Sequence, residues 1–262
     1  MLLSLENVSI SYQNNPVPTV QNVSFDLSAG GKLAIVGESG SGKTTVIRAI
    51  LGCLPPGGRI SQGKAIYDGR DLLQLSADEW RKIRGKEMSM IFQDSGNMMN
   101  PVHTVGKQYV EYIRTHSNVD KHEAYDMAVD MLAMMNLPNP DNIMKSYTFE
   151  LSGGMRQRVG IAMAITFKPK LLLADEPTSA LDVTTQAQIV GELMFITGDN
   201  TSMIMVTHNL GVASCLSDYL MVMQGGKVVE YGKTDEVLKN PNAPYTKSLL
   251  AAVPEIGGRR YV

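Results

Sequence analysis

The feature that most constrains this chain is a glycine-rich loop between a short apolar run and a segment with helical character. Residues 37–44 read Gly-Glu-Ser-Gly-Ser-Gly-Lys-Thr and fit the phosphate-binding pattern G-x-x-x-x-G-K-[ST]. The apolar run Lys32–Val36 precedes this loop and residues 44–51 follow it, so the predicted order is strand, loop, helix. Glycines let backbone amides turn toward phosphate oxygens, and the helix N-terminus adds the positive end of its dipole.

The loop therefore predicts a nucleotide-phosphate site. We expect Lys43 to reach the β- and γ-phosphates and Thr44 to hold Mg²⁺. A Gly/Ser loop without a ligand is the alternative. The expected nucleotide-binding residues here are Gly37, Glu38, Ser39, Gly40, Ser41, Gly42, Lys43, Thr44 and Thr45.

Two adjacent carboxylates, Asp175 and Glu176, close the apolar run at residues 171–174. Parallel-sheet proteins place ligand groups at the ends of such strands. We expect Asp175 to support Mg²⁺, directly or through water, and Glu176 to accept a proton from an attacking water. The alternative is that the pair caps a helix that Pro177 begins.

A second glycine motif, Leu-Ser-Gly-Gly-Met-Arg-Gln at residues 151–157, precedes a strongly helical stretch. It presents backbone donors and a serine hydroxyl to an anion at a helix N-terminus. Here the sequence resembles the ATP-binding cassette (ABC) family, because the phosphate loop, this signature, the Asp-Glu pair and a downstream histidine follow that family's order and spacing. The resemblance covers residues 3–254 and implies further nucleotide contacts from Ser152, Gly153, Gly154 and Gln157.

The resemblance also implies roles for single residues outside these motifs. Tyr12 matches the aromatic residue that stacks on adenine, although an aromatic residue packed on the core is the alternative. Gln93 matches the glutamine that contacts Mg²⁺ and the attacking water, and His208 matches the histidine that touches the γ-phosphate. The implied catalytic residues are thus Glu176, Gln93 and His208, and residues 179–182 match the loop that crosses to a partner subunit.

The predicted fold is α/β. It combines a P-loop NTPase core with a mostly parallel sheet, an N-terminal antiparallel β subdomain and a helical signature subdomain. We expect residues 1–235 to form one nucleotide-binding domain, with a helical insertion at about 94–165, and residues 236–262 to form a C-terminal family tail. Within the insertion, residues 105–116, 121–136 and 153–166 are predicted helices, whereas residues 94–101 and 137–141 are predicted links.

Composition limits the remaining classes of protein. Hydrophobic residues make up 44% of the 262 residues and the formal net charge is −2, which is ordinary for a globular protein and argues against a dedicated nucleic-acid binder. Two cysteines provide neither a disulfide scaffold nor a four-cysteine zinc site. No apolar run approaches the ~20 residues that cross a bilayer, so any membrane role is expected to be peripheral.

The resemblance implies ATP and Mg²⁺ as ligands and a set of protein partners. These are a second homologous ATPase subunit in a head-to-tail dimer, two transmembrane permease subunits and, through the permease, an extracellular solute-binding protein. The expected location is the cytoplasmic face of the inner membrane, without nucleic acid. The alternative is a soluble ABC-type ATPase acting on nucleic acid or ribosomes, but the long coiled-coil insertion or second cassette typical of that class is not seen.

A narrower resemblance points to the first ATPase subunit of peptide and nickel importers. It depends on residues 89–94, 100–101, 147–150 and 244–254, and Met155 replaces the glutamine of many ABC proteins. The chain ends at Val262 with no cysteine after Cys215, which resembles the shorter nickel or metal-chelate importers and favours those solutes. Residues 97–112 are the predicted permease-docking surface, with Met98 and Met99 as its apolar contact area.

Overall fold

The computed structural model describes residues 1–13, 16–93, 95–179, 181–198, 200–252, 255–256 and 259–260. It divides into a first unit, Met1–Arg81 with Thr197–Val262, and a second unit, Lys82–Ile196. The predicted helical insertion at 94–165 lies inside the second unit, which extends further at both ends. The extension has a simple reason: the helices pack together with two strands of the same unit.

An antiparallel sheet occupies the N-terminal part of the first unit and confirms the predicted β subdomain. Its strands run in the order β2-β1-β4-β5, and every neighbouring pair is antiparallel. Leu3, Ile10 and Tyr67 form part of its fully buried core. The strands are β1 (Leu3–Tyr12), β2 (Val20–Leu27), β4 (Gly58–Tyr67) and β5 (Arg70–Asp71).

The remaining strands of the first unit build a mainly parallel arrangement in the order β10-β9-β3-β8. β3 pairs in parallel with both β8 and β9, and β10 returns antiparallel to β9. The residues of β8 are buried throughout, as expected for a strand covered on both faces. The strands are β3 (Lys32–Val36), β8 (Ser202–Val206), β9 (Tyr219–Gln224) and β10 (Lys227–Lys233).

Short helices lie between or after these strands, and the helix at residues 77–83 continues two residues into the second unit of the chain. The helices are α1 (Lys43–Ile50), α2 (Ala77–Ile83), α9 (Leu210–Leu216), α10 (Thr234–Lys239) and α11 (Pro244–Ala251). Near the C-terminus, β11 (Glu255–Ile256) pairs antiparallel with β12 (Arg259–Arg260). None of the described helices combines the length and apolar character that crossing a bilayer requires.

The second unit consists of two parallel strands and a set of helices. The strands are β6 (Met88–Ile91) and β7 (Leu171–Asp175), and both are completely buried. The helices are α3 (Ser95–Met98), α4 (Val105–His116), α5 (Lys121–Met134), α6 (Pro140–Lys145), α7 (Gly153–Ile165) and α8 (Val183–Thr197), with one 3₁₀ turn at Thr148–Glu150.

Two of these helices lie where the sequence predicted links. In the predicted loop at 94–101, α3 forms because it packs on α7: any side chain at Gly160 would collide with Ser95. In the predicted link at 137–141, α6 begins with Pro140 at its first turn, a position where proline's missing N–H costs nothing. Asp94, which belongs to a segment used for the narrower family resemblance, lies outside the described residues.

Candidate functional site

The phosphate loop turns between β3 and α1 within the first unit, which confirms the predicted strand, loop and helix. Gly37 directly follows β3, and Gly42 precedes Lys43, the first residue of α1. Gly37 has a φ of 150°, and a side chain there would collide with the carbonyl oxygen of Met223 on β9. Glycine is therefore required for the loop to begin this close to the neighbouring strand.

Lys43 lies at the position predicted for the phosphate-binding lysine, and its ammonium group bonds to the loop itself. Nζ donates to the carbonyl oxygens of Gly37 at 2.8 Å and Glu38 at 2.7 Å. Nearby in the loop, the hydroxyl of Ser41 is buried and has no hydrogen-bond partner among the described residues. A buried hydroxyl left unsatisfied costs about 1–3 kcal/mol, so a phosphate oxygen is a fitting partner for it.

His208 leaves the first unit's sheet at the same edge as the phosphate loop. It lies just beyond β8, where Val206 pairs in parallel with Ile35 of β3. The side chain of Asn209 then caps α9 by accepting two amide hydrogen bonds. His208 is exposed. Because parallel strands end at a common edge, His208 and Gly37 follow the ends of two adjacent strands.

Tyr12 is the last residue of β1, directly opposite Gly58 of β4. A Cβ added at Gly58 would lie 2.8 Å from Cε1 of the Tyr12 ring, so the ring packs over this glycine. The tyrosine is also partly exposed. The packing fits the alternative that Tyr12 is an aromatic residue packed on the core. Because the ring is also partly exposed, stacking of adenine on Tyr12 stays a prediction.

Two of the predicted catalytic side chains meet in the second unit. β6 and β7 run parallel with Ile91 opposite Ala174, so the residues that follow them emerge side by side. Nε2 of Gln93 donates to Oε2 of Glu176 across a distance of 3.3 Å. The glutamine amide thereby orients the carboxylate that is expected to accept a proton.

The two adjacent carboxylates have different surroundings. Asp175 is the final residue of β7 and is only 3% exposed, whereas Glu176 is partly exposed. Glu176 has a φ of 45°, in the left-handed region that favours glycine. A non-glycine residue in that conformation costs roughly 1–2 kcal/mol, and strain of this kind concentrates at functional sites.

The signature motif forms the beginning of α7, as predicted. Ser152 is the N-cap residue, and its hydroxyl accepts a hydrogen bond from the amide of Met155 at 3.2 Å. Ser152 and Gly153 are exposed. Gly154 lies against α8, since a Cβ there would be 2.8 Å from Cγ2 of Thr185. The exposed helix N-terminus is suited to an anion.

Gln157, one turn further along α7, is turned inward instead. It is 6% exposed, and its Nε2 donates to the carbonyl oxygen of Pro177 at 2.9 Å and to that of Phe92 at 3.5 Å. These carbonyls belong to the residues next to Glu176 and Gln93. The amide of Gln157 is thus engaged with the protein beside the two predicted catalytic residues, and the nucleotide contact expected from its motif stays a prediction.

The loop at residues 179–182 leads into α8, although Ala180 lies outside the described residues. Asp182 accepts hydrogen bonds from the amide and hydroxyl of Thr185 at 3.0 and 2.7 Å. The side-chain hydrogen bond from Thr185, followed by the backbone bond, lowers the pKa of Asp182 below its ordinary value. This carboxylate is therefore a helix cap, a role compatible with a loop that reaches a partner.

No cluster of three or more His, Cys, Asp or Glu side chains within the described ranges is arranged to hold a metal ion. The donors predicted for Mg²⁺ are the hydroxyl of Thr44, the amide oxygen of Gln93 and the carboxylate of Asp175. Oxygen donors of these types suit Mg²⁺, which usually takes few protein ligands and completes its shell with water and substrate phosphates. The donor chemistry therefore fits the ion.

Two family models match the sequence. The model for ABC transporters matches residues 20–179, which is more than half of the chain. The model for the C-terminal region of oligopeptide/dipeptide transporters matches residues 229–261.

Individual relatives are similar over almost the whole chain. The oligopeptide transport ATP-binding protein OppD of Bacillus subtilis is 44% identical over 260 residues, covering 97% of this chain and 72% of its own. The dipeptide transport ATP-binding protein DppD of the same organism is 42% identical over 259 residues, covering 97% and 77%. Among solved structures, the dimeric post-hydrolysis state of the ATP-binding cassette MJ0796 bound to ADP and Pi has a TM-score of 0.78 at 28% identity, covering 89% of this chain and 99% of that chain.

Proposed function

This chain belongs to the ABC transporter family, and we propose that it is the subunit that hydrolyses ATP to power the import of peptides through a membrane permease. It has the ABC ATPase fold and is an ATPase of this family. The observation that carries the catalytic part of the proposal is the hydrogen bond from Gln93 to Glu176 at the ends of two parallel strands.

In the proposed reaction, the phosphate loop and Lys43 bind the phosphates of ATP, and His208 donates a hydrogen bond to the γ-phosphate. Glu176 accepts a proton from the water that attacks the γ-phosphorus, and Gln93 orients both water and carboxylate. The bond between the γ-phosphorus and the bridging oxygen breaks, which leaves ADP and inorganic phosphate. Phosphoryl transfer of this type depends mainly on positioning and electrostatic stabilisation.

Thr44, Gln93 and Asp175 would hold Mg²⁺. When bound, the ion neutralises phosphate charge that develops during the reaction. The Nε2 of Gln93 bonds to Glu176, which leaves its amide oxygen available for this role. Tyr12 would stack on the adenine.

A second homologous subunit is proposed to complete each site. The exposed Ser152 and Gly153 at the start of α7 would reach the γ-phosphate of ATP bound by the partner, in a head-to-tail dimer. The dimeric state of the related cassette bound to ADP and Pi supports a dimeric assembly.

The permease is proposed to dock on an apolar surface of the second unit that follows Gln93. Met98 is 62% exposed and Val102 is 73% exposed, while Phe149, stacked on Tyr147 at 5.4 Å between ring centroids, is 69% exposed. Met99, which was predicted to share this role, is only 8% exposed and lines an adjoining cavity of about 400 Å³. Met98 and Phe149 therefore replace the predicted methionine pair as the contact residues.

Peptides are the proposed cargo. The narrower sequence resemblance favoured nickel or a metal chelate, but the two similar Bacillus subtilis proteins are named for oligopeptide and dipeptide transport. The match of residues 229–261 to the C-terminal region of such transporters supports the same choice. These relatives lend no support to a role on nucleic acid or ribosomes.

The proposed assembly contains this subunit, a homologous ATPase, two permease subunits and an extracellular solute-binding protein. The subunit would lie at the cytoplasmic face of the inner membrane, held there by the permease.

The test is solute uptake by vesicles that contain the complete complex. We expect ATP-dependent accumulation of radiolabelled di- and oligopeptides, no accumulation of chelated nickel, and loss of peptide uptake when Glu176 is replaced by glutamine. Nickel uptake without peptide uptake would refute the cargo assignment. Unchanged peptide uptake in the Glu176→Gln complex would refute the catalytic assignment.

A further inference from the structure

The C-terminal helix α11 reaches the phosphate loop through one tyrosine. The backbone N–H of Glu38 donates a hydrogen bond to the phenolic oxygen of Tyr245 at 2.9 Å. The two residues are 207 positions apart in sequence, and both belong to the first unit. The function proposed above assigns no role to Tyr245.

This hydrogen bond fixes the N–H of the peptide group between Gly37 and Glu38, and the carbonyl of the same peptide group accepts a hydrogen bond from Lys43. The N–H of Glu38 and the carbonyl of Gly37 belong to the same planar peptide unit, so fixing one group fixes the direction of the other. The carbonyl of Gly37 accepts a hydrogen bond from Nζ of Lys43 at 2.8 Å. If the peptide rotated, the ammonium group would lose this partner or move with it.

The tyrosine is presented from a firmly anchored helix. On β10, the carboxylate of Glu230 accepts hydrogen bonds from the amides of Asn242 and Ala243, at 2.7 and 3.1 Å, directly before α11 begins. In the helix itself, Thr246 and Leu250 are buried. The start of α11 is therefore held to the same hairpin, β9 and β10, that packs beside the phosphate loop.

The protonation state of Glu230 is consistent with this anchoring. Burial acts to raise its pKa, but the hydrogen bonds from the amides of Asn242 and Ala243, together with the charge of Lys247, lower it below the ordinary value. The carboxylate is thus ionised at neutral pH and accepts both amide bonds.

We propose that Tyr245 is a positioning residue for the phosphate loop, which holds the peptide between Gly37 and Glu38 so that Lys43 is poised to receive phosphate. The inference rests on the proposed role of Lys43 in nucleotide binding. Glu230 and Tyr245 both fall within residues 229–261, the segment matched by the peptide-transporter C-terminal model. That segment thereby acquires a function at the nucleotide-binding end of the chain.

The principal test is Tyr245→Phe, which removes the hydroxyl and keeps the ring. Binding of ADP with Mg²⁺ to the full chain is measured by isothermal titration calorimetry, because ADP binding is not complicated by hydrolysis. We expect Kd to rise roughly two- to tenfold, the effect of losing one neutral hydrogen bond, with maximal ATPase turnover in the assembled complex changed by less than about twofold. Tyr231→Phe is the matched control, since Tyr231 is half-exposed on β10 and stacks on Tyr219.

Amide hydrogen exchange provides a direct readout at the loop. In the Tyr245→Phe protein, the amide of Glu38 should exchange about tenfold faster than in the wild type, with other β3 and α1 amides unchanged. A purely structural role would instead accelerate exchange throughout α11 and lower Tm. An unchanged Kd together with unchanged exchange at Glu38 would overturn the proposal.

A second variant, Glu230→Gln, tests whether the helix acts through the tyrosine. It should raise the Kd for ADP in the wild-type background and have little effect in the Tyr245→Phe background, because both changes release the same contact. Additive effects would contradict the proposal. If the wild-type chain fails to bind ADP at all, the proposed nucleotide function fails first, and the two failures are thus distinguishable.

Discussion

Replacing Glu176 with glutamine separates the chemical role of its carboxylate from its structural role. The two side chains have nearly the same shape, and the new amide oxygen can still accept the hydrogen bond that Nε2 of Gln93 now donates at 3.3 Å. The backbone at φ 45° is also retained. What is lost is the carboxylate proposed to take the proton from water.

The expected effect on the rate follows from that single loss. A positioned general base contributes about 10²- to 10⁴-fold, which corresponds to about 3–5 kcal/mol in activation free energy. The effect on the folded state should be much smaller, about 1 kcal/mol or less, because the side chain is partly exposed and its hydrogen bond from Gln93 changes from charge-assisted to neutral. The experiment therefore compares the change in activation free energy with the change in folding free energy.

ATP turnover in the assembled complex, nucleotide affinity and Tm would be determined for Glu176→Gln and for two comparison variants. Lys43→Ala should instead weaken nucleotide binding, since Lys43 is expected to contact phosphate. Glu123→Gln, at an exposed carboxylate in the first turn of α5, should behave as wild type. Turnover in Glu176→Gln above about one tenth of the wild-type rate would refute the general-base role, and so would loss of nucleotide binding with chemistry intact.

Three further predictions concern the partner subunit, the docking surface and pH. The isolated chain should turn over ATP about 100-fold more slowly than the assembled dimer, because the γ-phosphate lacks the facing signature donors; full turnover in a dilute sample shown to be monomeric by light scattering would contradict this. Met98→Glu should reduce complex assembly and peptide uptake but leave nucleotide affinity intact. Met99→Glu should instead destabilise the fold by about 3 kcal/mol or more, because it buries a charge. Equal losses of Tm in both variants would show that Met98 is a core residue. Burial, followed by the charge of Lys86, lowers the pKa of His116 from its ordinary 6.5, so folding favours the neutral ring. Stability should therefore fall as pH drops below about 6.5. Between pH 7.5 and pH 5, Tm should decline less in His116→Gln than in the wild type, and an identical decline would contradict the prediction.

Regular elements with a clear hydrophobic pattern could be predicted from the sequence, and their ends often coincided with the structure. Helix α4 is an example: it spans Val105–His116 as predicted, and Thr104 caps it by accepting a hydrogen bond from the amide of Lys107. α3 could not be predicted because its four residues are too few to show a helical repeat of apolar side chains. Its formation depends on packing against Gly160. Tertiary contact decides whether such a short segment is helical, whereas a longer helix also shows an amphipathic pattern that can be recognised in the sequence.

The same distinction applies to the candidate site. The meeting of Gln93 and Glu176 could be anticipated, because each follows an apolar strand and parallel strands end together. The inward turn of Gln157 and the bond between Tyr245 and Glu38 could not, since they join residues that are distant in sequence and belong to no shared motif. Burial of Met99 beside an exposed Met98 likewise depends on how the short helix α3 is docked.

The left-handed backbone at Glu176 sets stability and activity against each other at one position. Glycine would adopt the φ of 45° without the cost of roughly 1–2 kcal/mol that glutamate bears there, yet it would also remove the proposed proton acceptor. Laboratory selection of this protein for heat resistance alone would therefore enrich glycine at position 176 and deliver a robust, inert transporter subunit. Engineering for stability must hold this codon constant or screen every round for turnover.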